Sequence, residues 1–196
     1  NRNEFWEEGS TADIIIIAVP SIHIEMSLAS LDTNALKGKQ VISAVKGVIP
    51  KMNLLLNQYL EQQFSFPLKD YFTLLGPSHA EEIAAEQLSY LTFSGVNTQD
   101  TQDIANCFKN EYINTLVNND VFGVQFAGIA KNIYALGAGI AHGLEYGDNF
   151  LSVFIANAAS EMKQLLKGVM KQTEGQFEKV NYSASVYLGD LLVTCY

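Results

Sequence analysis

Between Val121 and Leu144 the chain carries a single formal charge, Lys131. A stretch of this length and apolarity has two physical fates: it spans a bilayer, or it becomes a helix buried in a soluble core. A lysine near the middle costs about 2.5–3.5 kcal/mol on insertion. Gln125, Asn132, His142 and five glycines add to the mismatch, although Gly139 and Gly143 form the small-xxx-small spacing of membrane helix pairs. The buried helix is the expected fate, and Lys131 then becomes the oddest residue in the chain. A core ammonium is costly unless paired, and desolvation lowers its pKa. Those are the conditions for acid–base or Schiff-base chemistry; a head that snorkels to solvent is the plainer alternative. Ala135, Ala138 and His142 fall roughly on the Lys131 face. The alanines leave room for a ligand or a close helix, and His142 reads as a structural histidine or as a second polar group on that wall.

Upstream of this stretch, strand and helix patterns alternate. Ala12–Val19 is a continuous β-branched run, suited to a strand covered on both faces, and Pro20 stops it. Ser21 is placed to cap a helix over Ile22–Leu31. A second strand is expected at Gln40–Val45, ending at Lys46-Gly47. Pro50 suits the first turn of a helix running to about Gln63. A third strand, Tyr71–Leu75, ends at Gly76-Pro77-Ser78, and a helix follows over His79–Glu86. Leu88–Ser94 and Ile113–Val117 read as strands with a helix, Thr98–Lys109, between them. Strands at roughly thirty-residue intervals with intervening helices predict βαβ units and a parallel sheet. From Asn118 the pattern becomes helical, with Val121–Leu144, Asp148–Gln172 (capped by Asp148) and a helix near Val186–Tyr196. The polar segment Gln172–Ser185 reads as a loop. The expected division is 1–118, a partial dinucleotide-binding (Rossmann-like) unit, and 119–196, a partial all-helical substrate unit. The fold class is thus α/β followed by all-α.

In an open α/β sheet, ligands bind beyond the carboxyl ends of the strands. Three such ends are legible, at Val19-Pro20-Ser21, Lys46-Gly47 and Gly76-Pro77-Ser78, and they are expected to converge. Gly76 permits close backbone approach to a ligand. Ser78 is placed to open a helix whose free N–H groups favour an anion. Lys46 is within reach of a phosphate or a polarised oxygen. Asp190, a lone acid in Tyr187-Leu188-Gly189-Asp190-Leu191, either orients a lysine or caps a helix. His23, His79 and His142 lack metal-like spacing, so metal chemistry is not expected. Gly137-Ala138-Gly139-Ile140-Ala141-His142 lacks the last glycine of the dinucleotide fingerprint and lies within a helix pattern, so it is discarded.

Charge narrows the partners. Lys+Arg is 12 against 21 Asp+Glu, a net charge of −9. Affinity through neutralisation of nucleic-acid phosphates is therefore not expected, while a local basic pocket for a small phosphate is compatible. Two cysteines, Cys107 and Cys195, imply no disulfide framework and suit a reducing, cytoplasmic setting. Asn1–Ser10 lacks the basic-then-apolar pattern of a secretory leader, and both ends read as cut from something longer.

Six motifs occur in order. They are Ile17-Ala18-Val19-Pro20-Ser21; Ser43-Ala44-Val45-Lys46-Gly47; Gly76-Pro77-Ser78-His79-Ala80-Glu81-Glu82; Asn119-Asp120-Val121-Phe122-Gly123-Val124-Gln125 leading to Lys131-Asn132; Gly143-Leu144-Glu145-Tyr146-Gly147-Asp148-Asn149; and Leu188-Gly189-Asp190-Leu191 with Thr194-Cys195. Together they resemble the NAD(P)-dependent glycerol-3-phosphate dehydrogenase family of bacterial type. The resemblance implies a Rossmann domain, a helical substrate domain, and reduction of dihydroxyacetone phosphate to sn-glycerol 3-phosphate, feeding glycerophospholipid synthesis. It implies that Lys131 is the catalytic acid/base. Lys46, Gly76, Ser78, Asp190 and Thr194 join Lys131 around the substrate. Pro20, Ser21, Lys46 and Ala80 meet the cofactor, NAD or NADP. Lys46 is expected to lower the pKa of Lys131 by like-charge repulsion and to stabilise the oxyanion.

The expected partner is a small phosphorylated substrate, with neither nucleic acid nor a membrane span. A homodimer is compatible with the resemblance, but the sequence does not give the oligomeric state. The family's glycine-rich turn, its first βαβ unit and its Ser-Arg-Asn motif are absent, and Gln125 stands where the family usually has Glu. The 196-residue chain alone is therefore expected to bind NADH weakly and not to turn over. The other readings kept open are a different β-hydroxyacid-type dehydrogenase, such as a 3-hydroxyacyl-CoA or ketopantoate-reducing relative, and a non-catalytic fragment.

Overall fold

The computed structural model describes residues 11–172 and 180–195. Five strands form one sheet in the order β1-β2-β3-β4-β5: β1 Ile14–Ile17, β2 Gln40–Ser43, β3 Tyr71–Leu75, β4 Ser89–Ser94 and β5 Ile113–Asn118. Strands β1, β2 and β3 are parallel, with Ile15 opposite Val41 and Val41 opposite Tyr71. The wholly parallel sheet expected from the sequence is corrected at β4, which pairs antiparallel to β3, Leu74 opposite Phe93. The cause is the connection. Helix α3, Ala80–Ala84, has five residues, about 7.5 Å of rise, against about 16 Å for β3. It is too short to carry the chain back across the sheet, so the next strand turns round. Helix α4, Thr98–Phe108, has eleven residues and matches its strands in length, and β5 accordingly runs parallel to β4.

The central strands are covered on both faces, and successive residues separate the two cores. Val41 and Tyr71 pack with Ile24 and Leu28 of α1 (Ile24–Leu28) and with Leu56, Tyr59 and Leu60 of α2 (Leu56–Phe64). Ile42 and Phe72 point the other way, into a cluster with Leu91, Phe93, Ile104 and Ala105. At β1 the expected double cover fails: Ile15 and Ile17 pack inward, but Ile14 and Ile16 are 38% and 49% exposed. An edge strand has a neighbour on one side only, and among the described residues no helix seals its outer face.

Several boundaries differ from the sequence expectation. The helix placed over Ile22–Leu31 begins as a 3-10 turn, Ser21–His23, and continues only as α1. Pro50 does not open a helix. It lies in a turn closed by the Ile49–Leu54 bridge, with Lys51 and Asn53 at positive φ, and α2 starts six residues later, where the Gln58 side chain accepts the Leu55 amide hydrogen.

The helical part contains α5, Val121–Gly143, and α6, Gly147–Gln172, joined by a short turn with Glu145 and Gly147 at positive φ. Asp148 is inside the first turn of α6 rather than its cap. A π-helical turn, Ser185–Gly189, leads into α7, Asp190–Cys195, in place of one continuous terminal helix. The expected loop Gln172–Ser185 lies partly outside the described residues. Val124, Ala127 and Ala130 of α5 pack with Ile155, Ala158 and Met162 of α6 and with Leu191 and Cys195 of α7. Among the described residues no helix is long and apolar enough to cross a membrane.

Candidate functional site

Lys131 sits in the middle of α5 on the face turned toward α7, and it is 6% exposed. It does not snorkel. Its Nζ donates to Asp190 Oδ1 at 2.6 Å and to Thr194 Oγ1 at 3.1 Å. The Thr194 hydroxyl in turn donates to the Asp190 carbonyl oxygen, one turn back on α7, at 2.6 Å. Asp190 is 3% exposed. The sequence left two roles for Asp190, orienting a lysine or capping a helix; its carboxylate goes to the lysine. A buried charged pair persists only when each partner compensates the other and further hydrogen bonds fill the remaining valences, and Thr194 supplies one of these.

Lys46 follows β2 and reaches the same place. Gly128, three residues before Lys131, faces its stem: a Cβ on Gly128 would lie 3.9 Å from Lys46 Cγ. The residue is exposed by surface area, yet its charged end is crowded. Desolvation pulls the Lys46 ammonium below the ordinary lysine range; Asp190 raises it again, and Lys131 adds to the lowering. Two ammonium groups and one carboxylate thus share a small volume with a net positive charge, on an otherwise acidic chain.

The other strand ends attach to this cluster by contact. Ser21, after β1, lies against Gly47, where a Cβ would meet the Ser21 Oγ at 2.6 Å. Gly76, after β3, has φ of +124° and backs onto the Tyr90 carbonyl. Pro77 reaches the turn before Asp190, 3.8 Å from where a Gly189 Cβ would be. Two capping roles are corrected. Ser21 makes no side-chain cap, since Pro20 holds the cap position of a 3-10 turn. The Ser78 hydroxyl donates to the Gly76 carbonyl at 3.2 Å, and α3 begins after His79. Ser78 therefore tightens the β3 loop instead of opening a helix. Pro20 and Ala80 are exposed at their loop ends, with no described hydrogen bond to Lys131 or Asp190. His142 is corrected too: it is exposed near the end of α5 and lines a separate depression with Glu145 and Asp148.

A cavity of about 360 Å³ lies elsewhere, against β4 and β5, and is lined by Thr92, Asn118, Asp120 and Tyr187 among others. Among the described residues it is lined by a carboxylate and no cation, and by none of the residues expected at the site.

Two buried groups, both within a motif noted in the sequence, were given no structural role there. Asp120 caps α5 by accepting the Gly123 amide, and it also accepts the Tyr187 hydroxyl. The available signal was an aspartate before a long apolar helix and a tyrosine three residues before the lone Asp190. Gln125 joins the two parts of the chain. It accepts from the Tyr71 hydroxyl and donates to Asn57 Oδ1 and the Val121 carbonyl.

A parallel-dominated sheet with helices on both faces, followed by helices that offer a buried lysine–carboxylate pair to the strand ends, defines a Rossmann-type protein with an appended helical part. Residues 3–101 match the family described as NAD-dependent glycerol-3-phosphate dehydrogenase N-terminus, and residues 120–196 match its C-terminus. The chain belongs to the NAD-dependent glycerol-3-phosphate dehydrogenase family. Relatives named glycerol-3-phosphate dehydrogenase (NAD(P)+) are 32% identical in Halalkalibacterium halodurans, over 96% of this chain and 53% of the relative, and 35% identical in Streptococcus suis, over 93% and 52%. The chain spans about half the length of these curated relatives. Among solved structures, DsGPDH of Dunaliella salina superposes with a TM-score of 0.84 at 26% identity, covering 97% of this chain and 32% of that one. A glycerol-3-phosphate dehydrogenase of Coxiella burnetii gives 0.82 at 24% identity, over 97% and 56%, and supports the fold.

Proposed function

We propose that this chain carries the catalytic lysine and part of the substrate site of an NAD(P)-dependent glycerol-3-phosphate dehydrogenase. The reaction is reduction of dihydroxyacetone phosphate to sn-glycerol 3-phosphate, the precursor of glycerophospholipids. The observation that carries the reading is the buried Lys131–Asp190 pair, 2.6 Å apart, beside Lys46.

Lys131 acts as the acid that protonates the developing alkoxide oxygen. Asp190 and Thr194 hold its Nζ in one place, so little reorganisation is needed when charge develops. Lys46 adds a second positive charge toward the oxyanion and the phosphorylated substrate. Gly76 and Ser78 shape the β3 loop alongside. The open strand ends are compatible with part of a dinucleotide site. Pro20 and Ala80 are exposed, Ser21 is half-buried, and Gly128 presents no side chain opposite Lys46. Pro20, Ser21, Lys46 and Ala80 would hold it, and when bound the nicotinamide supplies the hydride. The functional division falls near 118–121, and the two free thiols, one exposed and one buried, suit a cytoplasmic setting.

The test is dihydroxyacetone phosphate-dependent oxidation of NADH and NADPH by the complete gene product. Lys131→Ala should lower turnover per folded molecule by about 10²–10⁴-fold. Wild-type turnover in that variant would remove Lys131 from the mechanism.

A further inference from the structure

Asp120 and Tyr187 lie outside the site, yet they bind its two halves together. Asp120 is 1% exposed and Tyr187 2% exposed. One carboxylate oxygen, Oδ1, accepts the Gly123 amide at 2.8 Å and so caps α5. The other accepts the Tyr187 hydroxyl at 2.6 Å. Tyr187 belongs to the π-helical turn Ser185–Gly189, and Asp190 follows that turn directly.

This short segment therefore meets α5 at two points. One is the Asp120 cap, the other is Lys131, about 16 Å further along the helix. The tyrosine hydroxyl reaches Asp120 at the start of α5, and the Lys131 ammonium reaches Asp190 from further along the helix. A helix of six residues such as α7 has little stability of its own, so its placement depends on such attachments. Leu191 and Cys195 pack α7 against α5 and α6, and Lys131 holds Asp190 and Thr194, but apolar packing is non-directional and leaves the segment free to shift along α5. A second attachment at Tyr187 removes that freedom.

We infer that the Tyr187–Asp120 hydrogen bond is a positioning device, which sets the π turn along α5 so that Asp190 meets Lys131. Its consequence for turnover rests on the function proposed above; its consequence for the lysine does not.

Tyr187→Phe removes one oxygen and keeps the ring. Two readouts are taken on the complete gene product. In the first, kcat with dihydroxyacetone phosphate should fall about tenfold, while both KM values stay within about twofold. In the second, nitrogen-15 NMR follows exchange of the Lys131 ζ-ammonium protons with water. Loosening of the Asp190 contact should speed that exchange about tenfold. Asp120→Asn keeps the cap and leaves a neutral contact to the tyrosine oxygen, about half as strong, and should quicken exchange about threefold. That variant decides the matter where Tyr187→Phe does not fold. Should the parent protein show no turnover, the proposed function fails and lysine exchange still judges this proposal. Unchanged Lys131 exchange in the folded variants overturns it, even when their thermal midpoints drop.

Discussion

Removing the Asp190 carboxylate should show what the buried ammonium costs. In Asp190→Ala, Lys131 keeps Thr194 Oγ1 at 3.1 Å as its described hydrogen-bond partner, with a side chain 7% exposed. Breaking a buried ion pair from one side costs about 3–5 kcal/mol. A ceiling follows independently. The stranded lysine can lose its proton, and neutralising a lysine of ordinary pKa about 10.4 at pH 7 costs about 4.6 kcal/mol. The two values agree, so the expected loss at pH 7 is about 4 kcal/mol, a large share of the 5–15 kcal/mol that holds a typical domain folded. The ceiling also fixes a pH dependence. In the variant, the folded-state lysine titrates below its unfolded value, so the unfolded chain binds more protons and stability rises with pH. The deficit against the parent should shrink by about 1.4 kcal/mol per pH unit from pH 7 toward 10. Guanidinium unfolding followed by circular dichroism at pH 7, 8 and 9 measures both quantities. The double variant Lys131→Met/Asp190→Leu, which removes both charges, should recover most of the loss. A loss under about 1 kcal/mol with no pH trend would mean that water solvates the ammonium, and the electrostatic basis of the proposed mechanism would fail with it.

Three further outcomes are expected. Lys46→Ala should raise the KM for dihydroxyacetone phosphate and lower kcat, and unchanged kinetics with that substrate would make Lys46 a solvated surface residue. Gly123→Ala should destabilise by about 2 kcal/mol despite alanine's better helix propensity, because the new methyl displaces the Asp120 carboxylate from its cap and from Tyr187; a thermal midpoint at or above the parent's would refute this. Burial raises the hydroxyl pKa of Tyr71 and Tyr187 above the tyrosine range. Their contribution to stability is present below the unfolded value of about 10 and is lost at higher pH, so denaturation curves should show stability falling above pH 10, and falling less steeply in Tyr71→Phe/Tyr187→Phe.

Local pattern carried much of this protein. The isoleucine run at Ile14–Ile17 and the alternation at Val41-Ile42 and Tyr71-Phe72 encode strands, because the two-residue period decides which face each side chain occupies. The uncharged stretch from Val121 encodes a long buried helix, and the one charge in it marks Lys131 before any partner is known. The sense of β4 was not written in such periods. It follows from α3 being too short to recross the sheet, a length that composition around His79–Glu86 overstated. The partners of the site were not local either. Asp190 lies 59 residues from Lys131 and Tyr187 lies 67 from Asp120. Periodicity marks Lys131 and Asp190 as lone charges in apolar runs and only the family motifs group the two; for Tyr187 and Asp120 the sequence names no partner. Only the packing of α5 against the π turn and α7 brings the charges within bonding distance, because in a dry interior a buried charge must find its complement wherever the chain has placed it.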